Sequence, residues 1–162
     1  MENNLKTKTP AESAVEMREM VMPTDTNKHG TIFGGKIMSW IDIAAAMAAE
    51  RHCNNPVVTA HISDIDFISP INVGYHVSIK ASVNYVGTSS MIVGVRVDSE
   101  NPYTGDKKKT TKAYVTFVAI DEAGRPREVP RLKPESSDEK RRFENAKARS
   151  HSKKTLSQKL KN

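Results

Sequence analysis

The chain has 162 residues and a formal net charge of +6, one domain's worth of sequence and long enough for a real core. Its single cysteine, Cys53, excludes a disulfide framework and a multi-thiolate metal site within one chain. No apolar run approaches the length of a membrane span and the opening Met1-Glu2-Asn3-Asn4-Leu5-Lys6 has no secretory apolar region, so a cytoplasmic protein is the expectation.

Residues 1–11 read as a flexible N-terminus, after which Ala14–Met22 alternates through Val15, Met17, Glu19 and Val21 and predicts a first strand. The segment from Thr24 to Gly35 is polar and punctuated by Gly30, Gly34 and Gly35, a loop that leads straight into a helix. Glycines at a helix start leave the first backbone N–H groups open, where the dipole favours negative charge and another molecule can approach closely. Glycine pairs also simply make turns.

The helix is predicted from about Gly35 to His52, roughly 27 Å long at the standard rise. It is apolar nearly all round, and so demands cover on most sides. Asp42 interrupts it. One turn away stand Met38, Ser39, Ala45 and Ala46, with no Lys or Arg on the same helix placed to neutralise the carboxylate. Burying a carboxylate costs several kcal/mol unless it finds donors or a charge partner, which suggests a chemical job. A helix with one wet edge accommodates it too. The glycine start two turns upstream and Asn27 in the approach loop favour the chemical reading: a carbonyl oxygen polarised at one end, a water at the other.

Beyond the helix the period changes from 3.6 to 2. Pro56–Ile68 alternates in its second half, with Ile62, Ile65 and Phe67 implying a bulge around Ser63-Asp64. Tyr75–Tyr85 puts Val77, Ile79, Ala81, Val83 and Tyr85 on one face. Met91–Val97 and Lys108–Ile120 follow the same rule, and Gly87-Thr88-Ser89, Asn101–Gly105 and Asp121–Gly124 are turns. Strand, loop, long helix and four strands on short turns predict an α+β fold: a five-stranded antiparallel sheet, in part a meander, wrapped around one central helix.

The positive charge belongs to the end of the chain. Residues 1–130 hold 14 Lys or Arg against 15 Asp or Glu, whereas residues 131–162 hold 11 against 4. That tail reads as a short charged helix near Asp138–Ala148 and then a mobile Ser/Lys end. A solvated terminus is the leading reading and a grip on phosphate the functional alternative. No nucleic-acid motif or interleaved aromatics accompany the charge, so nucleic acid is not an expected partner.

This layout, with Asn27-Lys28-His29-Gly30-Thr31-Ile32-Phe33-Gly34-Gly35-Lys36-Ile37-Met38 and Asp42, resembles the hotdog-fold acyl-CoA thioesterases, in particular the YciA-like acyl-CoA hydrolases. Pro56-Val57-Val58-Thr59, Asp66-Phe67-Ile68-Ser69-Pro70, Gly87-Thr88-Ser89-Ser90 and Ala119–Arg127 extend the match over residues 12–131. The resemblance implies hydrolysis of a fatty acyl-CoA to free acid and CoA. Asp42 becomes the catalytic carboxylate, as general base or nucleophile. Asn27 acts with it across a dimer interface, and the amide near Gly34-Gly35, with Gly35 as donor, serves the oxyanion. A homodimer is then the minimal unit, with tetramer or hexamer above it, and no cofactor is needed.

His29 in the loop, Gly34, Thr59 opposite Asp42, Thr88, Ser89, Ser90 and Arg125 are the candidate substrate contacts. Each has an ordinary structural reading as a loop, strand or turn residue. His29, His52 and His61 match no zinc spacing, and no metal is expected. Two rivals remain: a hotdog hydratase or dehydratase acting on acyl thioesters, for which no histidine sits on the helix beside Asp42, and a non-catalytic acyl-CoA sensor, which has no need of Asp42. Acyl chain length is not legible.

Overall fold

Residues 5–161 are described in a computed structural model. In chain order they form α1 (Pro10–Ser13), β1 (Val15–Met20), a 3-10 turn (Pro23–Asp25), α2 (Gly34–Cys53), β2 (Val57–Phe67), β3 (His76–Val86), β4 (Ser90–Glu100), β5 (Lys107–Ala119) and α3 (Ser137–Leu160). The five strands make one antiparallel sheet in the order β1-β3-β4-β5-β2. Only β3-β4-β5 is a meander. The strand following α2 runs to the far edge, beside β5, so β1 and β2 are both edge strands.

Strand period sets which face meets the helix. Val77, Ile79, Ala81 and Val83 of β3, Met91, Val93, Val95 and Val97 of β4, and Ala113, Val115, Phe117 and Ala119 of β5 are all buried in one core with α2. The helix contributes Ile37, Trp40 and Ile41 and the small side chains Ala44, Ala45, Ala48 and Ala49, which let a curved sheet close around it. Ile41 is fully enclosed, and its truncation to alanine costs about 2–5 kcal/mol by the usual cavity penalty. One stripe of α2 stays uncovered: Met38 and Ile43 are 39% and 50% exposed, flanking the half-buried Asp42.

The two ends of the sheet differ. The N-terminus of α2 lies at the end where β1 and β2 finish and β3 starts, since Met20 pairs with His76 and Ile32 N–H donates to the Ile71 carbonyl. The C-terminus of α2 lies at the end holding the β3–β4 turn, where Ala119 N–H donates to the Ser89 carbonyl and Val129 N–H to the Thr88 carbonyl.

Of four sequence expectations, three are corrected and one is borne out and extended. Tyr85 leaves the core face because the register shifts between Val83 and Tyr85; its ring packs on Phe143 on the outer side of the sheet. The bulge expected near Ser63-Asp64 is present, with Asp64 at φ 53° and a register shift between Ser63 and Asp66, but a second shift lies between Thr59 and His61. The N-terminal segment is tied down from Lys8, whose backbone bridges to Leu132 and whose ammonium reaches the Arg51 carbonyl and Asn54; residues 1–4 lie outside the described residues.

The tail is the fourth. One helix runs from Ser137 to Leu160, started by a capping box in which Ser136 accepts from Glu139 N–H and the Glu139 carboxylate accepts from Ser136 N–H. Its first half docks on the outer sheet face, with Ala146 buried against Ile92 and Tyr114. Among the described residues no helix is long and apolar enough to cross a membrane.

Candidate active site

Asp42 is the ninth residue of α2, about two turns beyond Gly34-Gly35. β2 runs back along the helix and places Thr59 opposite it, where Thr59 Oγ1 donates to Asp42 Oδ1 at 2.8 Å. That bond supplies the carboxylate with one neutral donor, and no cation pairs with it among the described residues. The threonine therefore has a part in the site that β propensity alone does not require.

The start of α2 is bare. Phe33 is the N-cap, in extended backbone (φ −67°, ψ 130°), with no side-chain capping bond, which leaves the N–H groups of Gly34 and Gly35 without an intrahelical acceptor. The loop is braced against them: Phe33 N–H donates to the Asp25 carbonyl at 2.8 Å, and the Asp25 carboxylate accepts from Met22 N–H and pairs with Lys36 at 3.4 Å. A Cβ on Gly35 would stand 2.5 Å from Phe33 Cε1, and one on Gly34 3.4 Å from Phe67 Cζ. The rings of Phe33 and Phe67, 60% and 53% exposed, thus flank the two glycines. Sequence reasoning missed both rings as site residues, although Phe33 immediately precedes the glycine pair.

Asn27 caps its own loop. Its Oδ1 accepts from His29 N–H at 2.9 Å, its Nδ2 donates to Thr31 Oγ1 at 3.0 Å, and Gly30 closes the turn at φ 75°. None of these bonds reaches Asp42 within the protomer. His29 is exposed at the tip of this loop.

Thr88, Ser89, Ser90 and Arg125 gather at the opposite end of the sheet from Gly34-Gly35, joined through the Val129-to-Thr88 and Ala119-to-Ser89 hydrogen bonds. Arg125 forms a 3.0 Å ion pair with Asp121, whose carboxyl is held below the usual carboxylate range chiefly by the Arg125 N–H. Within one protomer these four residues do not adjoin the bare helix start.

His29, His52 and His61 lie on separate elements. His52 is fully buried, its Nε2 2.8 Å from the Pro130 carbonyl oxygen and its Nδ1 without a partner. Burial pushes its pKa down. Among the described residues no three His, Cys, Asp or Glu side chains converge in a way that could hold a metal.

Residues 29–105 match the thioesterase superfamily. The uncharacterized acyl-CoA thioester hydrolase YkhA of Bacillus subtilis is 44% identical over 128 residues, covering 79% of this chain and 74% of the relative. The cytosolic acyl coenzyme A thioester hydrolase of Mus musculus is 33% identical over 148 residues, and the chain spans 39% of that longer protein. Among solved structures, an apo-hexameric acyl-CoA thioesterase superposes with a TM-score of 0.91 at 40% identity, over 94% of this chain and 98% of the other. An acyl-CoA hydrolase from Staphylococcus aureus, in complex with butyryl coenzyme A and coenzyme A, gives 0.89 at 37% identity over 96% and 94%.

Structures of that S. aureus enzyme with single alanine replacements of an asparagine, an aspartate and a threonine match as well, with TM-scores of 0.91, 0.89 and 0.88. The three replaced positions are 15 and then 17 apart, the separations of Asn27, Asp42 and Thr59 here. With fold, chain coverage and residue spacing in agreement, this chain belongs to the hotdog-fold acyl-CoA thioesterase family.

Proposed function

We propose that the protein hydrolyses fatty acyl-CoA thioesters, taking up one water and releasing the free acid and CoA thiol. The observation that carries this reading is the Asp42 carboxylate, half-buried and oriented by Thr59, on the helix whose bare Gly34 and Gly35 amides point out of its start. The thioester carbonyl oxygen sits at the Gly35 N–H, with Gly34 allowing close approach, and its negative charge grows as the tetrahedral intermediate forms. Removal of one such donor typically slows a reaction by about 100- to 1000-fold. Asp42 either takes the proton of the attacking water or attacks the carbonyl itself. In the nucleophilic route the CoA thiolate leaves and a mixed anhydride forms, which water then opens. A single turnover in oxygen-18 water that labels Asp42 and leaves the first acid unlabelled demonstrates that route, and trapping of the anhydride by hydroxylamine tests it where the label is in the acid.

Asn27 reaches this centre from a second subunit: within one protomer none of its bonds extends to Asp42, and the Asp42 stripe of α2 lies open beside the β2 edge. The partner subunit's Asn27 then orients the water or the carbonyl. The same assembly brings Thr88, Ser89, Ser90 and Arg125 from the far end of a sheet toward a neighbouring site, where with His29 they bind the CoA moiety. A homodimer is the minimal active unit, and the hexameric relative supports further assembly. The reaction needs no cofactor, and its setting is the cytoplasm.

Incubation with acyl-CoAs of graded chain length and a thiol reagent tests the reading. Thiol release with saturating kinetics is expected, and the profile gives the chain-length preference. Loss of enoyl-CoA absorbance without thiol release would replace the hydrolase with a hydratase, and binding without turnover would leave a sensor.

A further inference from the structure

The far end of α3 has no work within its own protomer. The helix crosses the outer face of the sheet from strand to strand: Phe143 packs on Tyr85 of β3 at 5.3 Å, Ala146 is buried against Ile92 of β4 and Tyr114 of β5, and Arg149 stacks 4.1 Å from the Tyr114 ring centroid and pairs with Asp64 of β2. The six residues from Phe143 to Arg149 advance about 9 Å, close to two strand spacings of about 4.8 Å. Continued at that pitch, the helix passes over β2, the last strand, near Lys153. Its remaining residues run past the edge by about 10 Å.

Every residue from His151 to Leu160 is exposed. Leu156 and Leu160, 59% and 78% exposed, lie one turn apart on the same helix face. Two unsupported turns of a polar helix are marginal in water, and the leucines have nothing to cover them on this protomer.

We infer that the last two turns of α3 reach across the β2 edge and pack on a second copy of this chain, with Leu156 and Leu160 as the contact. The inference rests on the dimeric reading above and adds a surface to it. β2 is the edge suited to pairing: Val58 and Phe67 on it and Ile68 just after it are 45%, 53% and 58% exposed. The β1 edge instead carries Glu16 and Arg18, charges of the kind that discourage edge pairing. A two-fold copy joined at β2 lays its outer sheet face directly beneath the overhanging helix, and the contact is reciprocal. The surfaces are complementary. The overhang carries Lys154, Lys159 and Lys161 and no acid, while β2 carries Asp66, outside any ion pair among the described residues, and the exposed Val58.

Deletion of residues 151–162, which keeps the docked half of α3, and the double substitution Leu156→Glu/Leu160→Glu test the clasp. Sedimentation velocity over a dilution series is expected to show dissociation at a concentration at least tenfold higher than for the parent, with unchanged circular dichroism. Leu156→Cys adds a surface thiol to a chain whose only other one, Cys53, is buried, so a short bismaleimide should give a cross-linked dimer. Unchanged dissociation in both variants overturns the clasp while leaving the shared active site standing, as does the absence of a cross-linked dimer. A parent that sediments as a monomer at every concentration overturns both.

Discussion

Thr59 Oγ1 donates to Asp42 Oδ1 at 2.8 Å, a bond that joins the central helix to the edge strand seventeen residues later and fixes the half-buried carboxylate on the helix's uncovered stripe. The hydroxyl occupies one oxygen and leaves the other for a proton or a carbonyl carbon. Asp42→Ala and Asp42→Asn should therefore fold as well as the parent, since the charge sits at a partly wet surface and has no cationic partner to orphan. Their rate of thiol release should fall by several orders of magnitude. Thr59→Val keeps the shape and removes the donor; a loss of about tenfold in kcat with little change in KM is expected for a lost positioning bond. Thermal melts beside steady-state kinetics check all three, and near-parental turnover by either Asp42 variant rules out its assignment.

The composite site proposed above pairs Asn27 of one subunit with Asp42 of the other, since no Asn27 bond reaches Asp42 within the protomer. Asn27→Ala and Asp42→Ala proteins, each expected to be inactive alone, are to be mixed under conditions that exchange subunits. A mixed dimer holds one intact site and one doubly damaged site, so a statistical mixture should recover about a quarter of parental activity. Verified exchange without recovery would mean that the two residues do not act in trans.

Gly34 and Gly35 should differ in tolerance. An alanine Cβ at 35 falls 2.5 Å from Phe33 Cε1, whereas at 34 it meets Phe67 Cζ at an ordinary 3.4 Å. Gly35→Ala is expected to displace the Phe33 ring and cut kcat/KM at least tenfold, with a melting temperature close to parental because that ring is exposed. Gly34→Ala should be milder. In a Phe33→Ala background the Gly35→Ala substitution should cost less than it does alone, a coupling that a double-mutant cycle reads directly.

His52 links stability to pH. Burial holds its pKa below the ordinary value of 6.5, outweighing the opposing hydrogen bond to the Pro130 carbonyl, while Lys8 pushes it further down and Glu12 weakly up. Above 6.5 the imidazole is neutral both folded and unfolded and contributes no pH dependence. As pH falls below 6.5 the unfolded chain takes up a proton that the folded chain refuses, so stability declines, at up to about 1.4 kcal/mol per pH unit, until the folded pKa is reached. Urea melts of the parent and His52→Gln between pH 5 and 8 should show a smaller acid loss in the variant. Equal slopes would remove His52 as the source.

The periods of the chain were enough to place one long helix among five strands, because apolar spacing records which side of each element meets a core. They also singled out Asp42 and the bare glycines, both of them departures from what a helix of that composition needs. Strand order lay beyond local pattern: nothing in Val57–Phe67 says that it pairs with β5 rather than with the strand that follows it, since that depends on how the sheet closes around α2. The phase of Tyr85 was lost to a bulge, which shifts register at a single residue without altering composition. The tail was misjudged for a related reason. Its docking surface is built from Tyr85, Ile92 and Tyr114 on three different strands, and only the folded sheet sets those side chains under Phe143 and Ala146. The bond from Thr59 to Asp42 stands between these cases: sequence placed each residue on its element, and the packing of β2 along α2 decided the distance.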